Sequence, residues 1–370
     1  MEMHGADNPP TPPTQPSIAE QSSGNSRRRY TKKKRCARRD KREKVLALAG
    51  NSVKKVATMR RLKSQKVAVN IDVGSSGHAS TGYIGLHNPI SEPHRHILNL
   101  QAEGFTLLPW NQRDGFTLID LQGHIIGGGA SPRDPTWAQV ALDASNAVKQ
   151  ARNIARFSDK QKQHRRGCFP AMATGISYGG GQTQPMTLRS SPENAAAMGL
   201  LMGSPSIRRI TGLQSKLLHT IVPRLGAYYR DTLDALVASN SGLARNFRNS
   251  DFACMTANFG PNTITIDHTD FANLATGLCA ITSLGSFDSN IGSHLILWNL
   301  KLIIEFPPGA TILIPSALLR HSNAPIQSGE QRFSLTQYSA GGLFRWVENG
   351  FCKNRDRRPP RKEPEQDDNG

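Results

Sequence analysis

Cysteine is scarce in this chain of 370 residues: Cys36, Cys168, Cys254, Cys279 and Cys352 are odd in number, far apart and form no CxxC pair. That argues against a disulfide scaffold and a cysteine-based zinc module, and fits a reducing compartment. No run of 18 apolar residues occurs, so no membrane partner and no spanning helix are expected. The opening residues are polar and proline-rich, without the apolar stretch of a secretory signal. The expectation is a soluble intracellular protein.

Acids are few where bases are many. The chain carries 46 Lys+Arg against 28 Asp+Glu, a formal net charge of +18. Residues 27–66 alone hold 18 bases and two acids, a local excess of 16, in RRRYTKKKRCARRDKREK and the KK, RR and K that follow. Residues 1–26 are rich in Pro, Ser, Gln and Asn and bury too little apolar surface to offset ordering entropy. The expected organisation is a disordered arm over 1–66, basic from 27, a linker over 67–89, a folded domain over 90–352 and a disordered charged tail over 353–370. Such a basic block resembles a nuclear-import signal and an arm attracted to nucleic acid. Nuclear localisation and a DNA partner are therefore expected. The competing reading of the block is a solvated, partly helical linker.

Within the domain, FTLLPW and FTLIDLQGHIIGGG read as a hairpin over 105–126. Apolar residues at spacings of three and four predict a helix over 135–155 and another over 215–239, kinked at Pro223. From Phe252 the period changes. FACMTANF, NTITID, GLCAITSL, SHLILW, KLIIEF, TILIP and QRFSLTQYSA are short segments bounded by Gly, Pro, Asn or Asp, the pattern of an antiparallel jelly roll. The predicted fold class is α+β: a double-stranded β-helix core over 252–351 with supporting helices.

His268-Thr269-Asp270 follows NTITID, His321 follows TILIP, and Arg332 lies eleven residues beyond it. Residues i and i+2 of an extended segment point to one side, so His268 and Asp270 can reach a single metal. With His321 they make a 2-His-1-carboxylate triad, a set that holds Fe(II) with positions left open for a co-substrate and O2. Arg332 is placed deeper, where a planar fork can grip the distal carboxylate of 2-oxoglutarate.

The stretches FGPNTITIDHTDFANLATGLCAITSLGSFD, HLILWNLKLIIEFPPGATILIPSALLRHSN and GEQRFSLTQYSAGGLFRWVENGF resemble the TET/JBP-type dioxygenase domain of basidiomycete fungi. RDPTW, GISYGGGQ and RLGAYYRDTL upstream carry the same resemblance, which spans about residues 90–352. It implies an Fe(II)/2-oxoglutarate-dependent dioxygenase that uses O2 to oxidise the methyl group of 5-methylcytosine in DNA, and in some fungal relatives methylated adenine. Residue by residue it implies iron ligands at His268, Asp270 and His321, and co-substrate contacts from Arg332, Ser334 and His294. It further implies base contacts from Asn273 and Tyr338. The chain departs from the fungal pattern at Ser293, Asn299 and Tyr178, where Gly, Asp and His are usual. Ala340 stands where animal TET enzymes carry a cytosine-contacting histidine.

Plainer roles compete for several of these residues. His294, flanked by apolar residues, also reads as a core histidine, Asn273 as a turn cap and Tyr338 as barrel packing. Trp298 and Trp346 read as core, and His94-Arg95-His96 as surface. The alternative functions are a dioxygenase of the same fold acting on RNA or protein, and a non-catalytic DNA-binding relative.

Overall fold

The computed structural model of the chain describes residues 64–87, 93–110, 115–353 and 356. The chain divides into two units, Met1–Leu62 and Lys63–Gly370, and the described residues all belong to the second. The expectations for 1–26, for most of the basic block and for most of 353–370 lie outside the described residues.

Strand β1 (Gln65–Ala68) is followed by helix α1 (Ile97–Ala102), strand β2 (Thr106–Leu108) and the hairpin of β3 (Phe116–Ile119) and β4 (Ile125–Ala130). Helix α2 (Trp137–Ile154) and the single turn α3 (Asp159–Lys162) lead to a small hairpin, β5 (Gln163–His164) and β6 (Gly167–Cys168). Strands β7 (Ala171–Ser177) and β8 (Met186–Thr187) precede helices α4 (Pro192–Gly203), α5 (Pro205–Ile221) and α6 (Pro223–Ser239). Then come β9 (Cys254–Asn258), β10 (Cys279–Ser286), β11 (Leu295–Leu297), β12 (Leu302–Ile304), β13 (Thr311–Ile314), β14 (His321–Asn323) and β15 (Gln331–Tyr338), and helix α7 (Gly341–Glu348) closes the series.

Among the described residues the strands form a nine-stranded sheet, ordered β1-β3-β4-β13-β10-β15-β9-β7-β8, and a four-stranded sheet, ordered β14-β11-β12-β2. From β10 onward the chain alternates between them, placing β11, β12 and β14 in the small sheet and β13 and β15 in the large one. Helices α2, α4 and α5 cover one face of the large sheet. Trp137, Val140, Ala144, Val148, Leu201 and Ile210 pack there against Met255, Ala257, Leu284, Phe333 and Leu335. A second core lies between the sheets, with Leu118, Ile126, Ile312 and Ile314 meeting Leu295, Leu297, Leu302 and Ile304. Each such side chain, fully buried, contributes about 1.5–3 kcal/mol.

Strand β15 reads in two registers. Phe333 and Leu335 belong to the helix-side core, so alternation sends Arg332, Ser334, Thr336 and Tyr338 to the face between the sheets. Tyr338 packs against the core there. The same holds on β9, where Thr256 and Asn258 hydrogen-bond Tyr338 and Ser334. A polar strip thus lies inside the two sheets, while the apolar sides of the same strands face the helices.

Several expectations are corrected. The boundary drawn at 66 and the linker over 67–89 do not hold as drawn, because β1 crosses residue 66 and pairs in parallel with β3, Val67 opposite Leu118. The folded domain therefore begins well before residue 90. The hairpin placed at 105–126 is instead β3–β4, because β2 joins β12 in the other sheet. Pro223 does not kink one helix. It opens a second, α6, after Val222 leaves helical geometry, since proline suits a first turn and lacks the N–H an interior position needs. NTITID forms no strand beyond an isolated bridge at Asn262, and β7 and β8 extend the large sheet beyond 252–351.

Candidate metal and co-substrate site

The segment after β9 passes Pro261, turns where Ile264 N–H donates to the Asn262 carbonyl at 3.1 Å, and at His268 meets the start of β14. His268 N–H donates to the His321 carbonyl at 3.1 Å, and His321 N–H to the His268 carbonyl at 2.9 Å. This single antiparallel rung sets two histidines distant in sequence side by side, with ring centroids 4.2 Å apart. Asp270 N–H donates to the Ser316 carbonyl at 2.8 Å, which turns its carboxylate toward the pair. One Asp270 oxygen lies 3.9 Å from His268 Nε2 and the other 3.9 Å from His321 Nε2. The ligand atoms of the three residues all fall within 4.8 Å of one another.

Second contacts fix which ring nitrogen is free. His268 Nδ1 lies 2.8 Å from the Ile266 carbonyl and His321 Nδ1 2.9 Å from the Leu319 carbonyl. A carbonyl only accepts, so each Nδ1 carries the proton and each Nε2 keeps its lone pair for a metal. Both imidazoles are buried. Burial, then the neighbouring His321, pushes His268 down to about 3, so the ring is neutral at physiological pH. Burial raises the Asp270 carboxyl; charge on His268 or His321 would lower it, and with both rings neutral the guanidinium groups of Arg166 and Arg165 are the cations that hold it down. Behind the rung, Arg320 pairs with the buried Asp267, so the residues preceding the two histidines are tied together.

Arg332 is 1 % exposed. Its Nε donates to Ser293 Oγ at 2.6 Å and its Nη1 to the Thr263 carbonyl at 2.6 Å. No carboxylate pairs with it among the described residues, and burial alone pushes it down to about 9. A buried guanidinium without an anion is costly. Buried polar atoms without a partner among the described residues include Thr263 Oγ1, Ser283 Oγ and Asn258 Oδ1 near it and, apart from them, both ring nitrogens of His294, whose charged neighbours are Asp288 and His96. Ser334 stands opposite Ser283 on one side and Asn258 on the other, and accepts from Asn258 Nδ2 at 2.8 Å. A dicarboxylate fits the donors of this lining, since it would supply the missing charge for Arg332 and acceptors for the Thr263 and Ser283 hydroxyls, while the Asn258 Oδ1 acceptor would need a donor from elsewhere.

The structure thus brings His268, Asp270 and His321 together and places Arg332 and Ser334 on one strand face; His294 follows the Ser293 that holds Arg332, but its own charged neighbours are Asp288 and His96. Burial holds His294 down at about 4. Asn273 sits beside Asp270, but its Nδ2 donates to Ser316 Oγ at 3.1 Å and its N–H closes a turn onto the Asp270 carbonyl. Tyr338 accepts from Thr256 Oγ1 at 3.3 Å, and burial raises its phenol. Trp298 and Trp346 are half-buried packing residues.

Sequence reasoning missed two participants. Ser293 is a buried residue at φ +66°, a backbone region unusual for serine; its departure from the glycine of the fungal pattern was the available signal. Arg165 donates to the Thr269 carbonyl at 2.6 Å and to Asp270 Oδ1 at 3.2 Å, and lies over Phe271. Nothing in QHRRGC announces that contact.

No protein-family model matches the chain, and no curated protein matches it by sequence. Among solved structures it is similar to the protein NgTET1 in complex with 5mC DNA, at 15 % identity and a TM-score of 0.47, over 67 % of this chain and 90 % of that one. It is also similar to a 2OG-Fe(II) oxygenase-family oxidoreductase from Burkholderia pseudomallei, at 14 % identity and 0.29, over 56 % and 91 %. A third is the viral collagen prolyl hydroxylase of Paramecium Bursaria Chlorella virus-1, at 12 % identity and 0.26, over 54 % and 89 %.

Proposed function

We propose that this protein is an Fe(II)/2-oxoglutarate-dependent dioxygenase on a double-stranded β-helix, oxidising the methyl group of 5-methylcytosine in DNA. The observation that carries the reading is the pairing of two features. One is a buried His-Asp-His cluster with both Nε2 atoms free; the other is a buried, anion-less Arg332 among unpartnered polar atoms.

His268, Asp270 and His321 would hold the metal, leaving its remaining positions open. Arg332 would take the distal carboxylate of 2-oxoglutarate through its remaining N–H groups, with Ser334 on the same strand face; a contact from His294 is what the sequence resemblance alone implies. When bound, iron and 2-oxoglutarate supply reduction of O2 and oxidation of a C–H bond. The protein's part is to hold the metal rigidly through the His268–His321 rung, to neutralise the co-substrate's charge and to keep water from the apolar space between the sheets.

The DNA part of the reading rests on the sequence resemblance and the basic block at 27–66, which would also direct the protein to the nucleus. A base inside a duplex cannot reach the site, so the target is flipped out or single-stranded. Tyr338 then offers a ring face for it, and Asn273 an amide once released from Ser316.

The test is to incubate the purified protein with Fe(II), ascorbate and 2-oxoglutarate on methylated DNA, methylated RNA and histone peptides, and to read succinate and products by mass spectrometry. Oxidised methylcytosine in DNA is the expected result. Products only on RNA or peptide would move the substrate class, and no succinate on any substrate would make the chain a non-catalytic binder.

A further inference from the structure

The basic block at 27–66 is not the sole concentration of cations. Residues 149–166 carry Lys149, Arg152, Arg156, Lys160, Lys162, Arg165 and Arg166 against one acid, Asp159. This segment runs from the last turns of α2 through α3 into the β5–β6 hairpin. Arg156, Lys160, Lys162 and Arg165 are exposed, and Arg152 and Arg166 half-buried.

The segment is pinned rather than loose. Asn194 takes the Arg156 N–H at 2.8 Å and donates to its carbonyl at 2.9 Å, and Phe157 packs on Phe259. At its far end the Arg166 carbonyl accepts from Ile266 N–H at 2.9 Å, two residues before His268. Arg165 is committed to Thr269 and Asp270. Arg166, by contrast, has no side-chain partner among the described residues, and its charge reaches Asp270, His268 and Tyr338. Of the outer cations, Lys162 has Asp159 at 3.8 Å, and Arg156 lies near enough to Glu193 to help hold that carboxyl down. The result is a run of exposed cations along a pinned segment whose far end touches Asp270 of the His-Asp-His cluster.

We propose that the ridge from Arg152 to Arg166 binds the phosphate backbone of the nucleic-acid strand whose base is presented to the metal site. This rests on the nucleic-acid reading above. Phosphates along an extended strand are regularly spaced anions, and each one neutralised releases counterions. A ridge that ends at the site fixes which nucleotide is offered, whereas a remote arm supplies attraction without register.

The test compares two full-length variants with the parent: Arg156→Gln/Lys160→Gln/Lys162→Gln, and a control, Arg208→Gln/Arg224→Gln/Arg248→Gln, which removes three exposed cations elsewhere. Affinity for a methylated single-stranded oligonucleotide is measured across salt concentrations, with thermal unfolding as the check that both fold. The ridge variant should bind at least about tenfold more weakly at 0.1 M salt, with a slope of log K against log[salt] shallower by about 0.7 per charge removed. An unchanged slope, or an equal loss in the control, overturns the ridge. A shallower slope in a protein that never oxidises DNA would keep the ridge and sink the DNA-oxidation reading. Oxidation with an unaffected slope would do the reverse.

Discussion

At the scale of single residues, the site is built from side chains whose spare valences have been removed one by one. Each metal-facing histidine spends Nδ1 on a carbonyl, so His268→Ala should abolish binding of Mn(II), used as a redox-inert surrogate, while the chain stays folded. Titration calorimetry and circular dichroism read the two effects separately. Ser293 is the sharper case, because two consequences of one substitution run in opposite directions. Ser293→Gly relieves a left-handed backbone that costs a non-glycine residue about 1–2 kcal/mol, which offsets the cost of leaving a buried donor of Arg332 unpaired, so the melting temperature should change little. It also removes the acceptor of Arg332 Nε, a loss of roughly 0.5–1.5 kcal/mol. The KM for 2-oxoglutarate should rise about two- to twelvefold with kcat little changed, and an unchanged KM would mean the hydroxyl does not orient the guanidinium. His294 makes a prediction about pH. Its folded value near 4 lies below the ordinary 6.5, so the unfolded chain binds its proton more readily and stability is lost as pH falls from above 6.5 toward 4. His294→Phe should flatten the fall in melting temperature over that window.

At the scale of elements, the pattern of β15 explains both what could be read from sequence and what could not. Alternation in QRFSLTQY identifies a strand whichever face is inward, so β9, β10, β13 and β15 were legible, as was α2 from its run of buried positions. The His-x-Asp spacing with a distant His and an Arg was legible because the chemistry restricts residue type. Partnership between strands was not. β2 and β3 have similar composition yet belong to different sheets, and the choice is made by tertiary pairing that no local window contains. The break between α5 and α6 was half-visible: proline marks it, but a kink and a new start share that signal. Contacts such as Arg165 on Asp270 are decided by where a hairpin folds back, about a hundred positions from its target. Helix α5 is itself tied to the sheet by Gln214, whose Nε2 donates to Thr282 Oγ1 at 2.9 Å and to the Leu335 carbonyl at 3.1 Å. Gln214→Ala should lower stability by about 1–3 kcal/mol, measured by urea unfolding, without altering metal binding.

At the scale of the whole molecule, β1 is the first strand among the described residues. Gln65 N–H reaches the Gly115 carbonyl and Val69 N–H the Ile119 carbonyl. Deleting residues 1–62 should therefore leave the melting temperature in place, whereas deletion through 72 removes an edge strand over Leu118 and should lower it by about 2–4 °C for each kcal/mol lost. A salt titration of DNA binding by the shorter deletion would isolate the contribution of the basic block. The rung between His268 and His321 has a consequence for how metal and folding are coupled. A crosslink across about 53 residues, if it persisted in the unfolded chain, would add a fixed increment of about 4 kcal/mol by restricting that chain, as a disulfide does. Here the ring is already closed by two backbone hydrogen bonds, so an ion bound there would meet a finished circle and act as an ordinary ligand. Stripping it with a chelator should leave the chain folded, and restoring it should raise stability by about 1.4 kcal/mol for each decade of free metal above the dissociation constant, a sloping line on a logarithmic axis instead of a single step.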